Sequence, residues 1–363
     1  MASHGVARTA QTRIGQRQDV AKIKTYHVLE SQIRAQAALG SYDLELLNLT
    51  TKLLQLNPEY YTIWNIRRRC LLKGVLSFPP EYNSSDVTSM TLAEQHDSIS
   101  TALQSDLAFT VPLLLKFPKC YWIWNFRSWI LSQMTLRLPI PTVRKIWEME
   151  LALTSKMHIK DRRNFHAWGY RREIVAKLES PDLQGKSMSE AEFAYTTKMI
   201  NEDLSNFSAW HNRTQLVARV LDERGADDET RRGFLDMELK TTQDALNVGP
   251  EDQSLWYYHQ FLMSQIVGRH ENRQTIVPSL TTSQATAYLR REIDNLKDLL
   301  EDYSDIKWIY LGLLDWTSAL ERVEGPANSG DRELNESKVW LAKLRALDVL
   351  RAGRWDDMEE CVA

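Results

Sequence analysis

Lys119 and Arg163 each stand five residues ahead of a tryptophan, Trp124 and Trp168, with an aromatic residue, Tyr121 or Phe165, two places on. Two cations beside rings, in successive copies of one unit, would suit a phosphate or diphosphate, which lysine and arginine hold by charge-assisted hydrogen bonds. The other copies carry Glu59, Ser205 and Glu251 there, so solvated turn charges remain the alternative. Other chemistry is not written in the chain. It has no G-x-S-x-G, Walker A or G-x-G-x-x-G string, and its eight histidines and three cysteines show neither HExxH nor paired CxxC spacing. No intrinsic metal site is expected. His158 and His166, eight apart across a predicted turn, read as structural.

A repeat must position these residues. Trp64, Trp124, Trp168, Trp210 and Trp256 lie 60, 44, 42 and 46 residues apart, and three places after them come Arg67, Arg127, Arg171, Arg213 and His259. Fourteen residues before the tryptophans stand Thr50, Thr110, Thr154, Thr196 and Thr242, and eighteen before four of them Asp106, Glu150, Glu192 and Glu238. Acid and threonine are four apart, on one face of the first helix of a pair. The tryptophan reads as core, and the arginine is long enough to return to that helix. Ion pairs within hairpins are therefore expected: Asp106–Arg127, Glu150–Arg171 and Glu192–Arg213.

The pattern reads as helical throughout. A first helix over 19–39 stops at Gly40, and Ser41, Thr91-Glu94 and Ser189-Glu192 offer helix starts. Pro112 should kink its helix or mark its last turns. Breaks fall at 78–85 and 325–331. A sixth pair, 283–301 and 306–323, has Trp308 in the marker place, and a last helix at 332–352 precedes an acidic tail of Asp356, Asp357, Glu359 and Glu360. The expected fold is all-α, a right-handed α-α superhelix forming a crescent-shaped solenoid, with residues 1–18 a flexible arm and 19–363 one solenoid domain.

Composition agrees. Hydrophobic residues make up 43% of 363, while 14 glycines and 11 prolines are few for a turn-rich β protein. A net charge of −3 with mixed signs gives no bulk reason to bind nucleic acid or an anionic membrane. Cys70, Cys120 and Cys361 suggest no disulfide framework. No apolar run nears the roughly 18–20 residues of a bilayer span, the N-terminus lacks a signal-peptide core, and a cytoplasmic setting is expected.

The units Pro58–Arg68, Asn164–Arg172 and Asn206–Arg213 resemble the repeats of protein prenyltransferase α subunits over about residues 40–265. Three features resemble the type II, Rab-modifying branch: His4-Gly5-Val6 before Arg8, Arg163-Asn164-Phe165-His166 before Trp168, and the run Pro250–His259. The match is to its compact form, without immunoglobulin-like or leucine-rich-repeat domains. The resemblance implies an obligate heterodimer with a β subunit that holds a catalytic zinc and the isoprenoid pocket. It would transfer geranylgeranyl from geranylgeranyl diphosphate to C-terminal cysteines of Rab GTPases presented by a Rab escort protein, with magnesium an optional addition. The family frame Lys-x-Tyr-x-x-Trp is Lys119-Cys120-Tyr121-Trp122-Ile123-Trp124, which makes Lys119 and Tyr121 the expected catalytic contacts, with Arg163 a second diphosphate-side cation. His4 could reach the partner's zinc as a displaceable ligand. Two other readings stay open: the α subunit shared by farnesyltransferase and geranylgeranyltransferase type I, and a non-catalytic helical-repeat scaffold, although TPR units are shorter, at about 34 residues.

Overall fold

The computed structural model describes residues 13–77, 91–268, 275–325 and 331–362, and every regular element among them is helical. His4 and the 78–90 insertion lie outside the described residues. Two compact units, Met1–Lys186 and Ser187–Ala363, make up the chain. In the first, α1 (Arg13–Ala38) leads into the hairpins α2 (Leu44–Leu56) with α3 (Tyr61–Lys73), α4 (Leu92–Lys116) with α5 (Tyr121–Arg137), and α6 (Ile140–Lys160) with α7 (Phe165–Glu179). The second holds α8 (Ser189–Glu202) with α9 (Phe207–Glu223), α10 (Asp228–Val248) with α11 (Gln253–Val267), and α12 (Thr282–Asp302) with α13 (Lys307–Glu324). Then come α14 (Asp331–Leu347) and α15 (Ala352–Val362).

Local chemistry explains most of the ends. Gly40 and Gly225 close α1 and α9 at φ +73° and +62°, a left-handed conformation that costs any residue with a Cβ. Thr91 and Glu94 form the expected capping box. The other two predicted starts are corrected. Asp43, not Ser41, caps α2 by accepting from the Leu46 N–H at 2.9 Å, and Ser41 donates to Asp43 instead. Helix α8 starts at Ser189 with no side-chain cap, because Glu192, expected to fold back onto it, is buried. Pro112 lies in the last turns of α4, ahead of the C-cap Phe117. Helix α4 alone among those described has the length and mean hydropathy of a membrane span, but it carries the buried Asp106 and packs along α5.

The repeat residues form a lock that differs from the expected one. Each marker tryptophan is buried and donates its indole N–H to the carbonyl six residues back: Trp64 to Pro58 at 2.8 Å, Trp124 to Pro118 at 3.0 Å, Trp168 to Arg162 at 2.9 Å, Trp210 to Leu204 at 2.7 Å and Trp256 to Pro250 at 2.6 Å. The ring thus staples the inter-helix turn beneath its own helix. The arginine three places on divides its donors. One nitrogen returns to the hairpin's own threonine, as from Arg67 to Thr50 at 3.0 Å and Arg213 to Thr196 at 3.3 Å. The remaining edge goes forward to the acid of the next hairpin. Arg67 meets Asp106 at 2.5 Å, Arg127 grips Glu150 with two nitrogens, and Arg213 does the same to Glu238.

Asp106, Glu150 and Glu238 are therefore paired across hairpins, and the expected Asp106–Arg127, Glu150–Arg171 and Glu192–Arg213 pairs are corrected accordingly. The acid's second support comes from within its hairpin where a tyrosine follows the marker by two. Tyr170 donates to Glu150 at 2.7 Å and Tyr258 to Glu238 at 2.5 Å. In the α4–α5 hairpin that place is Phe126, so Asp106 lacks the phenol, and burial raises its pKa against the pull of Arg67.

The sixth hairpin keeps this register, shifted from the prediction. Tyr310, not Trp308, is the fourth residue of its second helix, is buried, and donates to the Ser304 carbonyl six residues back at 2.7 Å. Eighteen residues before Tyr310 stands Glu292, buried and 3.3 Å from His259. The acidic tail is helical too: Asp356 and Glu359 of α15 each accept from Arg345 at 2.6 Å.

Candidate functional site

The inter-helix turns of the first unit are built from backbone carbonyls that serve two hairpins at once. Pro118 O accepts from Trp124 of its own hairpin and from the Asn164 amide of the next at 2.9 Å. Asn164 is itself the N-cap of α7, accepting from the His166 and Ala167 N–H groups. One hairpin earlier, Pro58 O accepts from Trp64 and from the Cys120 thiol at 3.4 Å. Cys120 is thus a structural residue. It is buried, and burial pushes its thiol up to about 11, the reverse of what a nucleophile needs.

Lys119, next to that thiol, points the other way and is exposed. Its ammonium lies 3.6 Å from Asp161, the C-cap of α6. The other oxygen of Asp161 accepts from the Arg163 backbone N–H at 3.1 Å. One carboxylate therefore links the turns that carry Lys119 and Arg163. Being exposed, the Lys119–Asp161 pair contributes at most about 1 kcal/mol, so an incoming anion can replace Asp161 at small cost. Arg163 is also exposed.

Around these groups runs a chain of rings. Tyr61 lies 5.2 Å from Trp122, Trp122 is 5.2 Å from Tyr121, Tyr121 is 6.3 Å from His166, and His166 is 4.0 Å from Phe165. Tyr61, Tyr121 and Phe165 are each about half or more exposed, as first residues of α3, α5 and α7. The structure thus brings Lys119, Tyr121 and the Arg163 turn together. It adds Asp161, which spacing did not single out, and His166, which spacing gave only as structural. His166 has its pKa lowered chiefly by burial, with Glu59 and the Lys119 backbone opposing. Its signal in the sequence was positional: it stands two before its marker, where α5 has Trp122. His158 is structural as expected, buried and stacked on Trp168 with centroids 4.5 Å apart.

The marker residues Trp64, Trp124, Trp168, Trp210 and Trp256, with Arg67, Arg127 and Arg213, belong to the lock. Arg171 holds Thr154 at 3.2 Å and Ser155 at 3.0 Å. Among the described residues no three His, Cys, Asp or Glu side chains converge to hold a metal ion. Zinc has no such ligand set among those residues. The arrangement can offer an anion the lightly held Lys119 ammonium on a ring-lined rim, with exposed Arg163 on the turn that Asp161 joins to it.

Comparison with known proteins follows this geometry. The protein prenyltransferase alpha subunit repeat matches at residues 43–74, 103–134, 147–178, 189–220 and 235–266, which are the five hairpins that carry tryptophan markers. The geranylgeranyl transferase type-2 subunit alpha of Saccharomyces cerevisiae is 32% identical over 97% of this chain and 97% of its own length. That of Schizosaccharomyces pombe is 30% identical over 98% of each. The Candida albicans subunit is 37% identical over a shorter stretch, 48% of this chain and 44% of that protein. A solved structure, Candida albicans protein geranylgeranyltransferase-I complexed with GGPP, aligns with 94% of this chain and 91% of its own at a TM-score of 0.57 and 20% identity, a likeness of fold.

Proposed function

This chain belongs to the protein prenyltransferase α subunit family, and we propose that it is the α subunit of a type-2 geranylgeranyl transferase. The observation that carries this reading is end-to-end similarity to two type-2 α subunits. The chain would work in the cytoplasm as a heterodimer with a β subunit, which supplies the zinc and the isoprenoid pocket. Their substrates would be geranylgeranyl diphosphate and the C-terminal cysteines of Rab GTPases presented by an escort protein.

The chain's own contribution to the reaction is electrostatic. As the carbon–oxygen bond to the diphosphate breaks, negative charge grows on the leaving oxygens, and a positioned cation stabilises that growth. Lys119 is such a cation, because among the described residues its ion-pair partner is the exchangeable Asp161. Tyr121 borders it as a ring with a hydroxyl, and Arg163 adds a second positive charge from the adjoining turn.

The test is the transfer rate of the co-expressed heterodimer. Lys119→Ala should lower turnover on the order of 10–100-fold while leaving the heterodimer's melting temperature unchanged. Unchanged turnover would remove Lys119 from the site.

A further inference from the structure

The last turns of the first helices in the first unit share a surface that the lock does not use. Twelve, nine and eight residues before the marker tryptophans, α4 has Pro112, Leu115 and Lys116, and α6 has Lys156, Ile159 and Lys160. Helix α2 has Lys52, Gln55 and Leu56 in the same places. Spacings of three and four put each set on one helix face. That face is two residues out of step with the buried threonines, and so is turned away from the lock. The aliphatic members are exposed, Leu56 by 49%, Leu115 by 50% and Ile159 by 77%. Lys52, Lys116, Lys156 and Lys160 are exposed too and, among the described residues, form no ion pair. Lys160 donates to the Leu115 carbonyl, which ties the ends of α4 and α6 together.

No aspartate or glutamate occurs in 46–58, 107–118 or 151–160. The acids that follow, Glu59 and Asp161, stand on the turns, and Asp161 is paired with Lys119. The helix dipole favours a lysine in the last turn, which accounts for Lys116 and Lys160. It does not account for the aliphatic residues beside them, or for lysines a turn further in. Nor does the repeat require this composition. In the second unit the same places hold Asn201 and Glu202 on α8, and Asn247 and Val248 on α10. The lysines there have acid partners, Lys198 with Glu202 at 4.0 Å and Lys240 with Asp244 at 3.0 Å.

We propose that this patch docks the chain on an anionic lipid bilayer, with the four lysines at the headgroups and Leu56, Leu115 and Ile159 in the upper acyl region. Each lysine held near an anionic bilayer adds attraction that fades within a Debye length. Exposed aliphatic side chains gain by leaving water, and the lysine stems lie along the same apolar boundary. An acidic protein would satisfy the ammoniums but leave the aliphatic ends against polar surface, so the mixture fits a bilayer better. The patch is locally positive although the whole chain carries −3. Docking of this kind does not depend on the function proposed above.

Sedimentation of the full-length chain with lipid vesicles is the test. Phosphatidylcholine vesicles containing about 30% phosphatidylserine should bind it on the order of 100-fold more tightly than pure phosphatidylcholine at low salt. Raising the salt should remove most of that preference. Lys116→Gln with Lys156→Gln should weaken binding roughly tenfold or more, while the Lys160 bond and the melting temperature are kept. Leu115→Ser with Ile159→Ser should weaken it about tenfold with the salt dependence unchanged, which charge alone does not produce. Lys198→Gln with Lys240→Gln, in the second unit, should leave binding as it was. Absence of binding, equal binding to the two vesicles, or full binding by the Lys116→Gln, Lys156→Gln protein overturns membrane docking. Tight binding to polyglutamate with none to vesicles also overturns it, and gives the patch to an acidic protein.

Discussion

His158 shows how far one side chain's chemistry can be set by packing. Buried against Trp168, with Arg171 adding repulsion, its imidazole is pushed down to about 3, whereas an unfolded chain titrates near 6.5. Between those values the unfolded state binds the extra proton, so stability rises with pH, by up to about 1.4 kcal/mol per pH unit. The contribution is complete above about pH 6.5 and is lost on acidification toward 3. Urea midpoints of His158→Phe and the unaltered chain should therefore separate as pH falls through that window, with the unaltered chain's falling further, because phenylalanine keeps the stacking and removes the titration. Parallel midpoints would mean that the ring is solvated. Residues of this kind were partly legible. Lys119 could be singled out because its place in the repeat holds a cation in two successive units, Lys119 and Arg163, and Glu59, Ser205 or Glu251 in the others. His166 could not, because its value comes from Glu59, Lys119 and Tyr121, which reach it from other hairpins.

At the scale of the helical pair, the register of tryptophan, arginine, threonine and acid was legible, because identical surroundings select identical residues at fixed spacing. The direction of the ion pairs was not. Arg127 is 21 residues from Asp106 and 23 from Glu150, and a flexible side chain makes those separations equivalent until the next hairpin is in place. The threonine settles the matter: its hydroxyl donates to a carbonyl of its own helix, as Thr110 does to Leu107 at 2.8 Å, and accepts from the arginine. That turns the guanidinium's other edge outward.

The pairing can be tested by thermodynamic coupling. Arg127→Ala should cost roughly 3–5 kcal/mol, since it strands Glu150 in the core. In double-mutant cycles Arg127 should couple to Glu150 by more than about 1 kcal/mol, and less strongly to Asp106. Stronger coupling to Asp106 would restore the pairing expected from the sequence. The fifth step replaces arginine by His259, whose bond to Glu292, with help from Arg291, overcomes the upward push of burial and holds that carboxyl below its usual value. A carboxyl lowered in this way contributes stability above its unfolded pKa and loses it as pH falls through the folded one. His259→Gln should therefore raise the acid midpoint of unfolding, as circular dichroism would record.

For the whole chain, the distribution of exposed rings matters most. Tyr61, Tyr121 and Phe165 in the first unit, and Phe207 and Tyr257 in the second, stand at or near the starts of second helices with about half or more of their surface exposed. Contiguous exposed apolar surface marks places where another molecule binds. In the sequence Tyr121 and Phe165 stood out only through the cations two places before them, and Tyr61, Phe207 and Tyr257 were indistinguishable from core, because they share helices with the buried markers and only the helix start turns them outward. A partner that binds the folded chain and not the unfolded one stabilises it by mass action, by about 2.7 kcal/mol at a hundredfold excess over the dissociation constant. For a chain of this size that is a rise of several degrees in melting temperature. Thermal scans against increasing β subunit should show that rise, and replacing both Tyr121 and Phe165 by serine should shift the curve to higher partner concentration while leaving the free chain's melting temperature within about a degree. A melting temperature independent of β subunit concentration would mean that these rings face solvent in the working protein, and would favour a free-standing scaffold.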